Sequence, residues 1–164
     1  MTNNFPEVPD PDLESFKTYF YQRFELNNHW QAFDPVAKYL NTLKADQRFR
    51  LLFSVMCDRH DRPYQYQKVA SGLMLKVEAG CPLPVVEASF PLLDTIDLSV
   101  EEFPLFLAKR HGRERVLADL GTIDTSALDD RQRLRLDTLI YWARGFTDER
   151  YENIRNRWSS RIRG

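Results

Sequence analysis

Apolar residues recur every three to four positions along most of the chain, which is the spacing of one face of an α-helix. The first such stripe consists of Leu13, Phe16, Phe20 and Phe24. Runs in which β-branched and polar residues alternate, the signature of strands, are absent from the sequence. The pattern therefore predicts an all-α fold.

Prolines, glycines and capping residues divide this pattern into about seven to nine helices. Asp34-Pro35 predicts a helix that begins with proline at its first position, and Arg62-Pro63 predicts the end of a third helix that includes His60. Ser99 to Glu102 has the residues of a capping box, and Thr147 is a candidate cap for the last helix. Short links favour an irregular antiparallel bundle, with HEAT-like helix pairs as the alternative.

Residues 1–11 differ from the rest of the chain. Pro6, Pro9 and Pro11 prevent a helix here, while Glu7 and Asp10 make the segment acidic. The sequence therefore predicts an extended, proline-rich acidic arm over residues 1–11 and a single helical domain over residues 12–164. A core of that length needs neither disulfides nor a metal to be stable.

Charge and cysteine usage narrow the classes of partner. The formal net charge is −1 and the isoelectric point about 6.3, which argues against a dedicated nucleic-acid binder. Cys57 and Cys81 are the only cysteines, and neither a signal peptide nor a membrane-spanning stretch is visible. We expect a soluble cytoplasmic protein that has no membrane partner.

The last helix is rich in arginine, including Arg150, Arg155, Arg157 and Arg161. A basic helix can bind phosphates. These arginines alternate with acidic residues, however, and fall mostly outside the apolar stripe of the helix. The pattern therefore favours a solvated outer face.

Sequence motifs for common chemistry are missing. The six glycines do not cluster into a phosphate-binding loop, and the sequence has neither a nucleophile elbow nor a paired zinc-ligand spacing. No catalytic residue, cofactor or metal is therefore predicted on the favoured interpretation.

The beginning of the chain is unusually aromatic, with eight of the 21 aromatic residues between positions 5 and 33. Phe16, Phe20 and Phe24 account for the core stripe of the first helix. Tyr19 and Tyr21 are expected to point elsewhere, and together with Trp30 they form a candidate contact surface. The purely structural alternative is that a small helical domain packs aromatic rings on more than one side of a helix.

Acidic residues accompany this aromatic surface. Asp10, Asp12 and Glu14 would suit a basic partner. We therefore predict a non-enzymatic protein-binding module. Its size and composition are those of an adaptor or of a bacterial immunity protein that neutralises a basic toxin or effector domain.

An enzymatic alternative rests on His60-Asp61, with His29 upstream and Asp119 or Asp124 downstream. This order of residues on a helical scaffold resembles the HD-domain metal phosphohydrolases. The resemblance implies that His29, His60, Asp61 and Asp119 would hold a divalent metal that activates water. The small residues that usually follow the His-Asp pair are replaced by Arg62-Pro63.

Overall fold

The computed structural model describes residues 11–25, 29–60 and 63–160, and within these ranges it is all-helical and has no strand. The α-helices of the described residues are α1 (Leu13–Glu25), α2 (His29–Leu40), α3 (Ala45–Cys57), α4 (Pro63–Lys76), α5 (Val85–Ser89), α6 (Glu102–His111), α7 (Arg113–Leu120), α8 (Asp130–Arg144) and α9 (Asp148–Ser160). Two short 3-10 segments span Phe90–Asp94 and Thr125–Ala127. The predicted all-α bundle is confirmed. None of these helices is both long enough and apolar enough to cross a bilayer.

Helix α4 lies at the centre of the bundle, in contact with α2, α3, α6 and α9. Leu73 and Met74 on this helix are completely buried. In a HEAT-like stack each helix pair touches only its neighbours along the chain. Here α9, at the far end of the chain, packs on both α4 and α6, so the architecture is an irregular bundle.

Several helix ends lie where the sequence places them. Asp12 accepts a hydrogen bond from the backbone N–H of Ser15 and caps α1. Thr147 Oγ1 accepts from the N–H of Arg150 at 3.1 Å, so the predicted cap of the last helix is confirmed. At α8 the capping box is formed by Asp129 and Gln132, each side chain accepting from the other's backbone N–H.

Three predicted helix boundaries are wrong. Pro35 lies inside α2, because the buried apolar face continues through Phe33 and Val36 and outweighs a local penalty of about 3 kcal/mol. Helix α3 ends at Cys57, so His60 lies outside it. Ser99 forms no capping box, since its N–H donates to Asp97 and the side chain of Glu102 is buried in the core.

Helix α4 ends at Lys76, and the left-handed residue after it is Glu78, with a φ of 50°. In the link that follows, the N–H of Gly80 donates to the carbonyl of Ala45 at 3.0 Å. A Cβ at Gly80 would lie 2.6 Å from the carboxylate of Asp46. Glycine therefore permits the close approach that joins the link after α4 to the start of α3.

The arm predicted over residues 1–11 lies outside the described residues, except for the exposed Pro11.

Candidate functional site

Two of the three acidic residues predicted to meet a partner lie at the start of α1. Asp12 and Glu14 are both exposed there. The hydrogen bond from the N–H of Ser15 lowers the pKa of Asp12 and keeps it charged. Glu14 forms an ion pair of 2.9 Å with Lys17. Asp10, the third predicted acid, lies outside the described residues.

The prediction that Tyr19 points away from the core is wrong. Its side chain is only 7% exposed, with ring centroids 6.3 Å from Phe16 and 6.0 Å from Tyr39. Helix α1 contacts both α2 and α3, so its buried stripe is wider than a single helix face. Tyr19 is therefore a core residue whose ring packs at the contact between α1 and α2.

Tyr21 is half-buried and belongs to a polar cluster beneath α1. Its hydroxyl donates to Asp58 at 2.9 Å, and Lys17 donates to the other carboxylate oxygen at 3.1 Å. Burial, and after it the hydrogen bond to Asp58, raises the pKa of Tyr21. These contacts join α1 to the residue that follows α3. Trp30 lies in α2, but its side chain is outside what the structure describes.

His60 sits at the edge of this cluster. Its ring centroid is 4.3 Å from that of Tyr21 and 5.0 Å from that of Tyr66. The Nε2 atom lies 3.8 Å from Asp58, too far for a hydrogen bond. Aromatic packing is the contact that the structure gives to the His60 ring, and its Nε2 is buried without a hydrogen-bond partner among the described residues.

The proposed metal ligands are not brought together among the described residues. His60 contacts α1 and α4, whereas Asp119 accepts a hydrogen bond of 2.8 Å from Arg115 on its own helix. Asp124 instead accepts from Ser126. The side chain of His29 and all of Asp61 lie outside the description. In the described ranges no three His, Cys, Asp or Glu residues form a group that could hold a metal, and the phosphohydrolase alternative stays a prediction.

The arginines of α9 are engaged within the chain. Arg150 binds Glu101 at 2.9 Å, and Arg155 binds Glu78 at the same distance. Arg157 reaches Glu101 as well, at 3.5 Å. Much of the positive charge of this helix is therefore neutralised by the protein itself.

An open groove runs along the outer face of α3 and was not predicted. Its volume is about 560 Å³. Apolar side chains from three elements line it, namely Pro11, Leu13, Phe53, Cys57, Pro82 and Leu83. Its polar lining comes from Gln47, Arg50 and Ser54. The lining follows α3 from Gln47 to Cys57, a length of about 15 Å at the helical rise per residue.

Among the described residues, no helix covers this face of α3, which leaves the groove open. Phe53 forms part of the groove and stacks on Phe49 at 5.0 Å and on Phe103 at 6.2 Å, so its floor is held by the core. Leu13, at the start of α1, is 45% exposed at the edge. A nearly continuous apolar run in α3, from Leu51 to Met56, was the only sequence signal for a second contact face.

The two cysteines are free, and Cys57 lines the groove. Burial raises the pKa of Cys57 to about 12 and that of Cys81 to about 11. Both thiols are therefore protonated near neutral pH, a state that does not suit a catalytic nucleophile. Cys81 lies in the link after α4, next to Gly80, whereas Cys57 is the last residue of α3.

The described site thus combines an apolar groove, an acidic helix start and a polar cluster that fixes α1. Neither a protein-family model, nor a curated protein, nor a solved structure is significantly similar to this chain. The geometry of the groove is therefore the basis for a functional proposal.

Proposed function

We propose that this protein is a non-enzymatic protein-binding module whose contact surface is the α3 groove together with the acidic first turn of α1. The observation that carries the proposal is the open groove of about 560 Å³, bordered by the half-exposed Leu13. Exposed apolar surface of this kind, rimmed by polar residues, is typical of sites that bind another protein. Asp12 and Glu14 flank Leu13 in the sequence and add negative charge to one end of the groove.

The apolar groove and the acidic turn indicate which side chains a partner would present. Apolar side chains of the partner would enter the groove, and basic side chains would approach Asp12 and Glu14. A groove about 15 Å long accepts either a short extended segment or about three turns of helix. A basic toxin or effector domain bound by an immunity protein, or the client of an adaptor, has the required character.

The groove is tested by capturing the partner from the source cell on wild-type protein and on two matched double variants. Leu13→Gln with Ser54→Gln makes the groove polar without changing its charge. The control is Leu134→Gln with Thr138→Gln on the exposed face of α8, where Leu134 is 53% exposed. Ser54 and Thr138 each donate their hydroxyl to a carbonyl of their own helix, so the two pairs are structurally alike.

We expect a stoichiometric partner whose affinity falls about tenfold in the groove variant, about 1.4 kcal/mol, since one apolar contact is lost and two side-chain amides would be desolvated in the complex. The α8 variant should bind like wild type. If the α8 variant alone loses the partner, the contact surface is on α8 and the groove proposal is wrong.

The acidic contribution is tested with Asp12→Asn and Glu14→Gln. Asparagine can still cap α1, whereas lysine would remove the cap together with the charge. The expected result is a slower association rate with little change in dissociation, and a smaller dependence of the rate on salt. An unchanged association rate would remove the acidic turn from the proposal.

Metal analysis addresses the enzymatic alternative. Mn, Fe, Co or Zn that co-purifies with wild type and is lost in His60→Ala would favour the phosphohydrolase over the binding module.

A further inference from the structure

Exposed apolar side chains also lie together on α8 and on the link between α5 and α6. Leu134 and Tyr141, two turns apart on α8, are 53% and 66% exposed. The ring of Tyr141 is 5.1 Å from that of Trp142, whose Nε1 donates to the carbonyl of Leu98 on the link. Leu98 is itself 39% exposed. We name these four residues the α8 face, and none of them lines the α3 groove.

Side chains of α8 hold the link in place beside this face. Arg135 donates to two backbone carbonyls of the link, each at 3.0 Å, and Gln132 donates to the carboxylate of Asp94 at 2.8 Å. The bond from Trp142 to the carbonyl of Leu98 adds a further attachment at 3.1 Å. A surface that is already ordered loses less conformational entropy when it binds. The α8 face is therefore organised for an interaction before any partner arrives.

Unpaired charges of both signs border the α8 face. On α8, Arg131 and Arg144 are exposed, and on the link Asp94 is exposed and Asp97 is half-buried. None of these four side chains forms an ion pair with another residue of the described ranges. Helix α8 contains four arginines and two aspartates, whereas residues 90–100 contain two aspartates and no basic residue. The helix and the link therefore carry equal and opposite formal charges.

This combination of charges fits a second copy of the same chain. A partner with only one sign of charge would attract one pair of side chains and repel the other. In a twofold contact each copy presents the same surface to the other, so the arginines of one copy can approach the aspartates of its partner. The exposed apolar side chains would then meet between the two sets of charges.

We propose that two copies of this chain form a weak twofold dimer through the α8 face, in which the two unpaired arginines of each copy lie near the two unpaired aspartates of the other. The dimer does not rest on the proposed function, because the α8 face and the lining of the α3 groove share no residue. Permanent dimers bury larger and more apolar surfaces than this one, so the copies exchange rather than stay together.

The test is sedimentation equilibrium of the full-length protein, without a partner and with a reducing agent that keeps Cys57 and Cys81 free. We expect the average mass to rise from the 19.4 kDa of the monomer towards twice that value as the concentration passes about 100 µM. Wild-type protein that stays monomeric at about 1 mM would overturn the proposal.

Two charge-reversed variants locate the contact. The first is Arg131→Glu with Arg144→Glu, and the second is Asp94→Lys with Asp97→Lys. Each variant alone should associate at least about tenfold more weakly than wild type, because like charges then face each other. An equimolar mixture of the two should associate like wild type, since every reversed charge again meets its opposite. Association in the mixture also shows that both variants are folded.

Lys38→Glu with Arg50→Glu is the matched control, since it reverses two exposed basic residues on α2 and α3. It should associate like wild type, and a control that is monomeric would overturn the placement on α8. Failure of the mixture to associate, although each variant keeps the circular-dichroism spectrum of wild type, would also overturn it.

The apolar part of the contact is tested with Leu134→Gln and Thr138→Gln, which should weaken association about tenfold, because the exposed Leu134 is lost and two amides would be desolvated. Unchanged association would overturn the role of the α8 face. If wild type is monomeric while the groove variant loses its partner, the dimer is wrong and the proposed function stands. If the dimer forms while the groove variant keeps its partner, the proposed function is wrong and the dimer stands.

Discussion

The two ends of this bundle use polar side chains in opposite ways. At the C-terminal end, α9 closes over α4 and α6 around a buried charge. Glu102 is only 2% exposed, pairs with Lys68 at 2.9 Å and accepts a hydrogen bond of 3.3 Å from Trp158 Nε1. The ring of Trp158 stacks on Phe33 at 5.3 Å and covers Gly72.

At the N-terminal end, α1 is held to the residues after α3 by half-buried polar groups. Lys17 and Tyr21 both bind Asp58, and beside them the outer face of α3 is covered by none of the described helices. Within the described structure, the apolar lining of the groove therefore stays open.

The residues expected to stabilise the fold therefore differ from those expected to bind a partner. Substitutions under α9 remove contacts that the chain makes with itself, so they should lower the free energy of unfolding. Substitutions in the groove change side chains that face open space in the described structure. They should therefore change binding more than stability.

The largest effect is expected at Gly72. A Cβ at this position would fall inside the indole of Trp158, a rigid and buried ring that cannot move aside. We expect Gly72→Ala to lower the free energy of unfolding by about 3 kcal/mol, the upper range for overpacking a core. Urea denaturation followed by circular dichroism gives this value.

Gly145→Ala is the matched control. A Cβ there would meet the guanidinium end of Arg150 at 2.7 Å, and that flexible side chain can rotate away. We expect a loss below about 1 kcal/mol. If both variants lose the same stability, the tight contact between α4 and α9 is not a feature of the folded protein.

A smaller, pH-dependent effect is expected at Glu102. Burial raises the pKa of this carboxyl group, although Lys68 acts in the opposite direction. A raised pKa in the folded state means that the group favours folding at low pH. This contribution is lost as pH rises from the unfolded value, near 4.5, through the raised folded value.

Glu102→Gln removes that titration while keeping a hydrogen-bond acceptor for Trp158. The stability of the variant relative to wild type should therefore increase as the pH rises from 4 towards neutrality. Denaturant midpoints at several pH values measure it, because titrations elsewhere cancel in the difference. A difference that does not change with pH would show that burial of Glu102 does not control its protonation.

The sequence predicted the helices because their apolar stripes are local. The core residues Phe16, Phe20 and Phe24 were correctly assigned from spacing alone. Tyr19 was misassigned because its burial depends on where α2 crosses α1, which no local pattern records. Pro35 shows the same limit, since tertiary packing overrides its local preference.

The groove could not be predicted, because it lies on a face of α3 that no helix of the described part of the chain covers. Which face of α3 stays uncovered depends on the paths of α1 and of the link containing Pro82. Asp58 gives a similar lesson. Its neighbours alternate in charge like a solvated helix end, yet it pairs with Lys17, 41 residues earlier in the chain. Such long-range pairings are invisible in one sequence.

The smallest effect is expected at Tyr21, on the open side of the molecule. Tyr21→Phe keeps the ring that packs on His60 and Tyr66 and removes only the hydroxyl that donates to Asp58. Hydrogen bonds to a carboxylate at a half-buried site are worth about 1.5 kcal/mol, so the variant should lose about that much stability. Tyr141→Phe is the control, since Tyr141 is 66% exposed and its change should stay within about 0.5 kcal/mol.

A double-mutant cycle with Asp58→Asn assigns the loss to this one contact. If the hydroxyl of Tyr21 serves only to hold α1 in place, Tyr21→Phe and Asp58→Asn will be strongly coupled in stability, and Tyr21→Phe will still capture the partner. If Tyr21 contacts the partner itself, affinity will fall although the fold is intact. The second outcome would extend the recognition surface from the groove into the polar cluster, and it would remove the separation between stability and binding at this end of the bundle.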